Sequence, residues 1–590
     1  MKKLLLALVV GLVLNGCKSS SNDGPSAESL KELPGSKYAG GILYLNEPEF
    51  IKNLFPHNII DAPSYRVATQ VYEGLLKFGM DSLNLVPGLS ESYTINETGT
   101  VYVFKLRKGV KFHDNACFPD GKGREFKATD VEYCFKQLCT PNANNQGFFV
   151  MQDIVKGANE YYAARKEGKA EPSSISGIKV LDDYTIQIEL IGPNSIFPYN
   201  LARPFTFIYP KEAWDKYGLD MRVNPVGTGP FTIGRIEENL IIMLKRNPNY
   251  WGVDADGNKL PYLAEVHISN KREKKAEFLE FKDGKLDMIY RLPTDYMIEI
   301  TEEANQKKGE YALATLSRTP EMAVHFLSFN LTEKRFQNVN LRKAISFAVD
   351  RSRILDAVLN GEGYAPGIYG VTPPDIFAAY DVKSIKMYSL NLDSARYYLR
   401  KAGFKDGKEI GTITMDLNSD GDRNINIGNE VKDQLKKNLN IDVNLNILTT
   451  AQLTENVTKG SATFFRLGWF ADYPSPESFL VYFYGKNVPN TNEFASYPNL
   501  ARYKNPTFDA LYEKALAARS KDEAYSLFLQ AEKVAMADAP VIVLFYDEGY
   551  RLLHDRVKNF PNNAMQYRDL CQVYLMPIEK LTATAEEKKK

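Results

Sequence analysis

Arg466 and Asp472 carry opposite charges six residues apart in Phe464–Leu480 (FFRLGWFADYPSPESFL), a segment otherwise dominated by apolar and aromatic residues. Taking a charge out of water is costly unless a partner matches it. If the segment lines a cleft, the pair suits a zwitterion, with an ammonium on Asp472 and a carboxylate on Arg466. The competing reading makes Asp472 the cap of the Tyr-Pro-Ser-Pro turn and Arg466 half of a surface ion pair.

The whole chain sets the background. Its 590 residues are 44% hydrophobic and 25% charged, ordinary for a soluble globular protein, and the length suggests roughly three to four domains. Lys+Arg and Asp+Glu number 73 each, so nothing favours nucleic acid as a partner. The 35 Tyr and 32 Phe suit a large recognition surface and, equally, a large core. No G-x-S-x-G, HExxH or other nucleophile constellation is present, so no catalytic residue is assigned.

The N-terminus is more specific. Lys2 and Lys3 precede the apolar run Leu4–Leu14, which is too short for a mature spanning helix and reads as an export signal. Leu14-Asn15-Gly16-Cys17 resembles a bacterial lipobox, implying cleavage before Cys17 and lipidation of its thiol and new amine. Acyl chains anchor at ~0.8 kcal/mol per buried methylene. A plain signal peptide with an incidental cysteine is the alternative.

Cys117, Cys134, Cys139 and Cys571 remain, in a compartment that permits disulfides. Cys134 shares a helical stripe with Val131, Phe135 and Leu138 and reads as a core thiol. At most one disulfide is expected, involving Cys117 and Cys139. No CxxC pair occurs and the five histidines are scattered, so neither a metal site nor a cofactor is expected.

In chain order, Lys18–Lys37 reads as a flexible tether. Gly41–Leu45 is the first strand, and a helix follows carrying Val67, Val71 and Leu75. Val101–Phe112 alternates as a half-buried strand. Thr129 and Glu132 have capping-box spacing ahead of a helix. Ile178–Leu190 forms a hairpin. Pro225–Asn249 gives two strands, with Gly227-Thr228-Gly229 as a turn, since the spacing and Lys of a phosphate loop are missing. The second half is more helical: Leu341–Asn360, Leu392–Ala402, Asn429–Leu439 running into the strand Ile441–Ile447, then Phe508–Ala518, Asp522–Met536 and the strand Val541–Phe545.

Six segments in this order resemble the family-five extracellular solute-binding proteins, receptors of bacterial peptide ABC importers. They are YEGLLKF; TVYVFKLRKGVKFHD with KATDVEYCFKQL; NPVGTGPFTI with LKRNPNYW; FQNVNLRKAISFAVDRSRILDAVLNGEGYAPGIYGVTPP; NLDSARYYLRKAGF; and GWFADYPSPESFL. The resemblance runs over residues 40–575. It implies an α/β fold, a type II periplasmic-binding-protein clamshell with an extra domain, mixed sheets and a two-segment hinge. Domain I would comprise 38–77, 201–315 and 546–580, domain II 78–200, and domain III 316–545. The implied function is capture of extended peptides for a permease, by a lipid-anchored monomer facing the periplasm or cell exterior. A nickel chelate, haem, an opine or an oligosaccharide is the alternative ligand, and a sensor or adhesin the alternative role.

By the same resemblance, Asp472 pairs with the ligand's α-ammonium and Arg466 receives the carboxylate of a short peptide. Gly468 and the Trp469–Ala471 backbone supply main-chain contacts, and Ala62 in IIDAPSY adds another. Six residues of straight strand cover about 20 Å, against about 10 Å for an extended tripeptide. Both charges serve one short ligand only if the segment bends, which Gly468 permits. A straight segment reserves Arg466 for longer peptides or for structure. Two departures stand out: Leu448-Thr449-Thr450-Ala451 replaces a segment that often carries Trp, and the loop after Lys111-Phe112-His113-Asp114 holds extra residues, including Cys117.

Overall fold

The computed structural model describes residues 29–581 apart from 143, 294–295, 420–421 and 491–494. Cys17 and its lipobox lie outside the described residues. The tether assigned to 18–37 ends sooner than expected. Lys31–Leu33 pairs antiparallel with Lys37–Ala39, and Lys37 Nζ reaches Asp254 at 2.6 Å and Asp256 at 2.9 Å.

Three larger sheets organise the chain. One runs in the order Phe231–Glu237, Ile241–Arg246, Glu265–Ser269, Ile42–Asn46, with the last pair parallel. A second is an antiparallel sheet in the order Ser90–Ile95, Val101–Leu106, Thr185–Glu189, Ile178–Asp182. The third has seven strands and is built on two long ones, Ala314–Phe329 and Val541–His554.

These long strands pair along most of their length, but their surroundings change halfway. Ala314–Pro320 faces His554–Glu548, with Met288–Tyr290 alongside Val541–His554. Val324–Ser328 faces Tyr546–Val541, with Phe464–Phe470 on the outer edge of Ala314–Phe329. Between the halves the register slips twice, after Pro320 and after His325. Proline has no N–H to give the ladder, and bulges bend and twist the strand that carries them. Met322, inside the first slip, bonds away from the partner strand: its N–H donates to Ala564 O at 2.8 Å and its carbonyl accepts from Ala471 N–H at 2.9 Å. The sheet continues from Phe464–Phe470 to Ile413–Asn418 and Val443–Leu448 through parallel pairings. Leu341, Ile345, Ile427, Val431 and Leu435 close one side of this part of the sheet against Met415, Phe464 and Leu544. That is the α/β step expected at Asn429–Leu439, with the helix starting earlier, at Asp422.

Several local expectations are corrected. The helix Ala128–Leu138 is capped through Lys127 and Asp130, not Thr129 and Glu132; the Asp130 carboxylate accepts the Lys127 N–H at 2.9 Å. Leu341–Asn360 is broken into Val339–Phe347, Arg351–Arg353 and a wide turn at Ile354–Val358. The four described cysteines are free thiols. Cys134 and Cys139 are buried in and beside the Ala128–Leu138 helix, and Cys134 bonds to the Tyr209 carbonyl at 3.3 Å. Cys117 sits in a loop held elsewhere, where Tyr217 and Lys216 bond to Asn115 and Ala116.

Candidate functional site

Phe464–Phe470 is a strand with one edge taken and the other largely open. Its inner edge pairs with Ala314–Phe329 from Phe329↔Phe464 to Ala323↔Phe470 without a register break. On the outer edge Ile413–Asn418 meets only Phe464 and Phe465. Past Phe465, no described strand pairs with it. In an antiparallel pair, alternate residues direct both backbone groups at the partner. The Ala471–Met322 bond fixes the phase, so the N–H and C=O groups of Gly468 and Phe470 point to the open edge. Such an edge is a template for an added extended chain.

Asp472 lies just beyond the strand's end. Its backbone N–H donates to Ser478 Oγ at 3.0 Å, which turns the carboxylate outward, where the side chain is 63% exposed. Oδ2 accepts from Arg203 Nη2 at 3.1 Å. Arg203 was not foreseen, because nothing in its sequence setting marks a lone arginine for a carboxylate 269 residues away. Beneath Asp472, the buried Glu477 carboxyl is held by the phenols of Tyr473 and Tyr512; burial raises its pKa despite those bonds.

Aromatic walls surround the carboxylate. Trp469 is half-buried and donates Nε1–H to Ser478 O at 2.7 Å while meeting Tyr482 edge-on. Phe470 and Tyr497 are exposed. Tyr65 is raised first by burial, with the charges of Arg203 and Asp472 also acting on it. Ala62, placed in a loop by the sequence reading, opens the helix Ala62–Val71 capped by Asp61, and Tyr65 follows one turn later. This helix therefore brings its first turn toward Asp472.

Arg466 is arranged differently. No bulge interrupts the strand's pairing between Phe464 and Phe470, and Asp472 follows two residues past its end. Arg466 is buried; its Nη2 donates to His325 Nδ1 at 2.7 Å and its Nη1 approaches Asn418 Oδ1 at 3.4 Å. His325 Nε2–H donates to Asp547 at 2.9 Å. Burial holds the His325 pKa down at about 3, which leaves a neutral imidazole able to accept at one nitrogen and donate at the other. Asp547 also accepts from Arg291 at 2.9 Å and Arg423 at 3.3 Å. Burial opposes its ionisation, and these guanidiniums overcome that, holding it well below the usual carboxylate range. Arg466 thus joins the cleft strand to a buried ionic cluster at the slip between the long strands.

Gly468 has a reason other than a bend. A Cβ there would lie 2.8 Å from His325 Cε1 and 2.9 Å from Nδ1, and the strand passes Gly468 in register with His325. The residue is small because the imidazole occupies the space.

Opposite this strand, Ser195 donates its N–H to Leu516 O at 2.7 Å, and Tyr199 stacks on Tyr473 at 5.7 Å. With Arg203–Asp472 these contacts tie residues 195–203 to Asp472, Tyr473 and Leu516.

Residues 84–491 match the family model "Bacterial extracellular solute-binding proteins, family 5 Middle". The chain belongs to that family. Among its relatives is "Heme-binding protein A" of Haemophilus influenzae, 28% identical over 96% of this chain and 98% of that one. The oligopeptide-binding protein OppA of Bacillus subtilis is 26% identical over 92% and 93%. Among solved structures, the periplasmic binding protein DppA of Helicobacter pylori, titled as a complex with peptide STSA, superposes with a TM-score of 0.75 at 24% identity. It covers 91% of this chain and 98% of its own. The fold is the expected α/β type II periplasmic-binding-protein fold. No helix among the described residues is long and apolar enough to cross a membrane.

Proposed function

We propose that this chain is the substrate-binding lipoprotein of a peptide ABC importer, which captures extended oligopeptides and hands them to a permease without catalysis. The observation that carries the reading is the open edge of Phe464–Phe470 running to the exposed carboxylate of Asp472. A peptide laid along that edge bonds through groups every peptide has, and its ammonium meets Asp472. The backbone groups offered on that edge are those of Gly468 and Phe470, whereas Trp469 and the Ala471 N–H face Ala314–Phe329, and Ala62 would add a contact from the helix Ala62–Val71. Arg466 is buried with its guanidinium on His325 and Asn418, so of the two tasks open to it, a longer peptide's carboxylate or structure, its contacts support structure. The relatives named for oligopeptide binding support the same class.

The lobes would be domain I (38–77, 201–315, 546–580), domain II (78–200) and domain III (316–545), with Ala314–Phe329 and Val541–His554 as the two crossings. The register slips give those crossings a place to bend. Cys17 would carry the lipid anchor.

A haem ligand is the second reading, favoured by the name of one relative. The geometry favours it less, since His57, His113 and His325 are buried and His267 is engaged with Glu265. Isothermal titration with matched free and N-acetylated peptides tests the peptide reading. Free peptides should bind more tightly; equal affinity would remove Asp472 from its role.

A further inference from the structure

Arg203 stands beside Asp472 but has no task in the reading above. Its guanidinium is fixed in place: the side chain is 7% exposed and lies over the rings of Phe149, Phe205 and Tyr473 at 5.1, 5.4 and 5.3 Å. Its hydrogen bonds go to Asp472 at 3.1 Å and to Asn200 at 3.5 Å. A guanidinium has five N–H donors, and none of the Arg203 nitrogens is both buried and unpartnered. Donors therefore remain available next to an accessible carboxylate.

This puts a rigid cation and an exposed anion at one end of the cleft. An ammonium held by Asp472 places the ligand's first α-carbon about 4 Å from the carboxylate oxygen. From there an Asp or Glu side chain extends its carboxylate by a further ~2.5–4 Å, enough to reach the guanidinium. The four groups then alternate in sign: Asp472, the ligand ammonium, the ligand side-chain carboxylate, Arg203. A lysine in the first position would instead set a second ammonium against Arg203. Stacked arginines favour planar carboxylates and hold them with little loss of side-chain freedom.

We infer that Arg203 is a specificity-determining residue that selects peptides whose first side chain carries a carboxylate. This rests on the peptide reading of the same cleft. Three tetrapeptides test it: Glu-Ala-Ala-Ala, its neutral isostere Gln-Ala-Ala-Ala, and Lys-Ala-Ala-Ala, titrated calorimetrically into the wild-type chain. The Glu peptide should bind roughly tenfold or more tightly than the Gln peptide, as a charge-assisted bond implies, with the Lys peptide weakest. In Arg203→Gln the Glu-to-Gln ratio should fall toward one, whatever the absolute affinities become. Equal binding of the Glu and Gln peptides to the wild type overturns the inference and leaves the peptide reading intact. A preference that survives Arg203→Gln removes the role from Arg203. Failure of all three peptides to bind overturns both.

Discussion

Gly468→Ala reports on the join between the cleft strand and the buried ionic cluster. The added methyl group would sit 2.8 Å from His325 Cε1, so the ring must retreat by roughly 0.6 Å or more to reach ordinary contact. The ring has little room to do so. It is bonded at Nδ1 to Arg466 and at Nε2 to Asp547, and it stacks on Phe545 at 4.5 Å. Overpacking costs about 1–3 kcal/mol, and straining a bond to a charged group costs part of a further ~1.5–3 kcal/mol. These overlap, so the expected loss is about 2–4 kcal/mol. Urea denaturation would measure it within a double-mutant cycle with His325→Ala. Removing the ring should relieve most of the clash, so that Gly468→Ala costs under about 1 kcal/mol in that background. An equal cost with and without the imidazole would refute the argument.

Asp472→Asn should weaken free-amino peptides by about 1.5–3 kcal/mol, and acetylated peptides should then lose their disadvantage; calorimetry on both series checks this. His57 packs against Phe55 and Tyr209 with neither ring nitrogen partnered, and burial holds its pKa down at about 3. Below the unfolded value of about 6.5 the unfolded chain takes a proton that the folded one refuses, so stability falls with pH. His57→Leu lacks this penalty, and its advantage should grow by about 2 kcal/mol between pH 7.5 and pH 5; a gap independent of pH would show that His57 is not held neutral. Cys17→Ser should move the protein from the membrane to the soluble fraction, and retention on membranes would argue against lipidation.

The sequence carried the family through short ordered motifs, and it carried most regular elements wherever one face is wet. The two long strands were the main loss. Ala314–Phe329 is half at the surface and half buried on both faces, so no single period runs through it, and Pro320 reads as a breaker. Val541–His554 is buried almost throughout; its polar residues Asp547 and Glu548 looked like a strand end because their partners are far away in sequence. In the site, the turn and neighbours of Asp472 fit a cap as well as a ligand contact, and only the family resemblance singled it out for a ligand's ammonium. The true reason for Gly468, and the presence of Arg203, depend on His325 and on a contact between distant segments, which no local pattern encodes. Among the described residues the count stays within the expected limit of one disulfide, but Cys117 and Cys139 do not pair, because export permits a bond without bringing two sulfurs together.

The most direct test of the central claim is native mass spectrometry of the chain as purified, without refolding, followed by fragmentation of whatever is released. The account predicts a family of extended peptides of mixed sequence, bound one per chain. A single non-peptide mass, such as haem, would contradict it and leave only the fold standing.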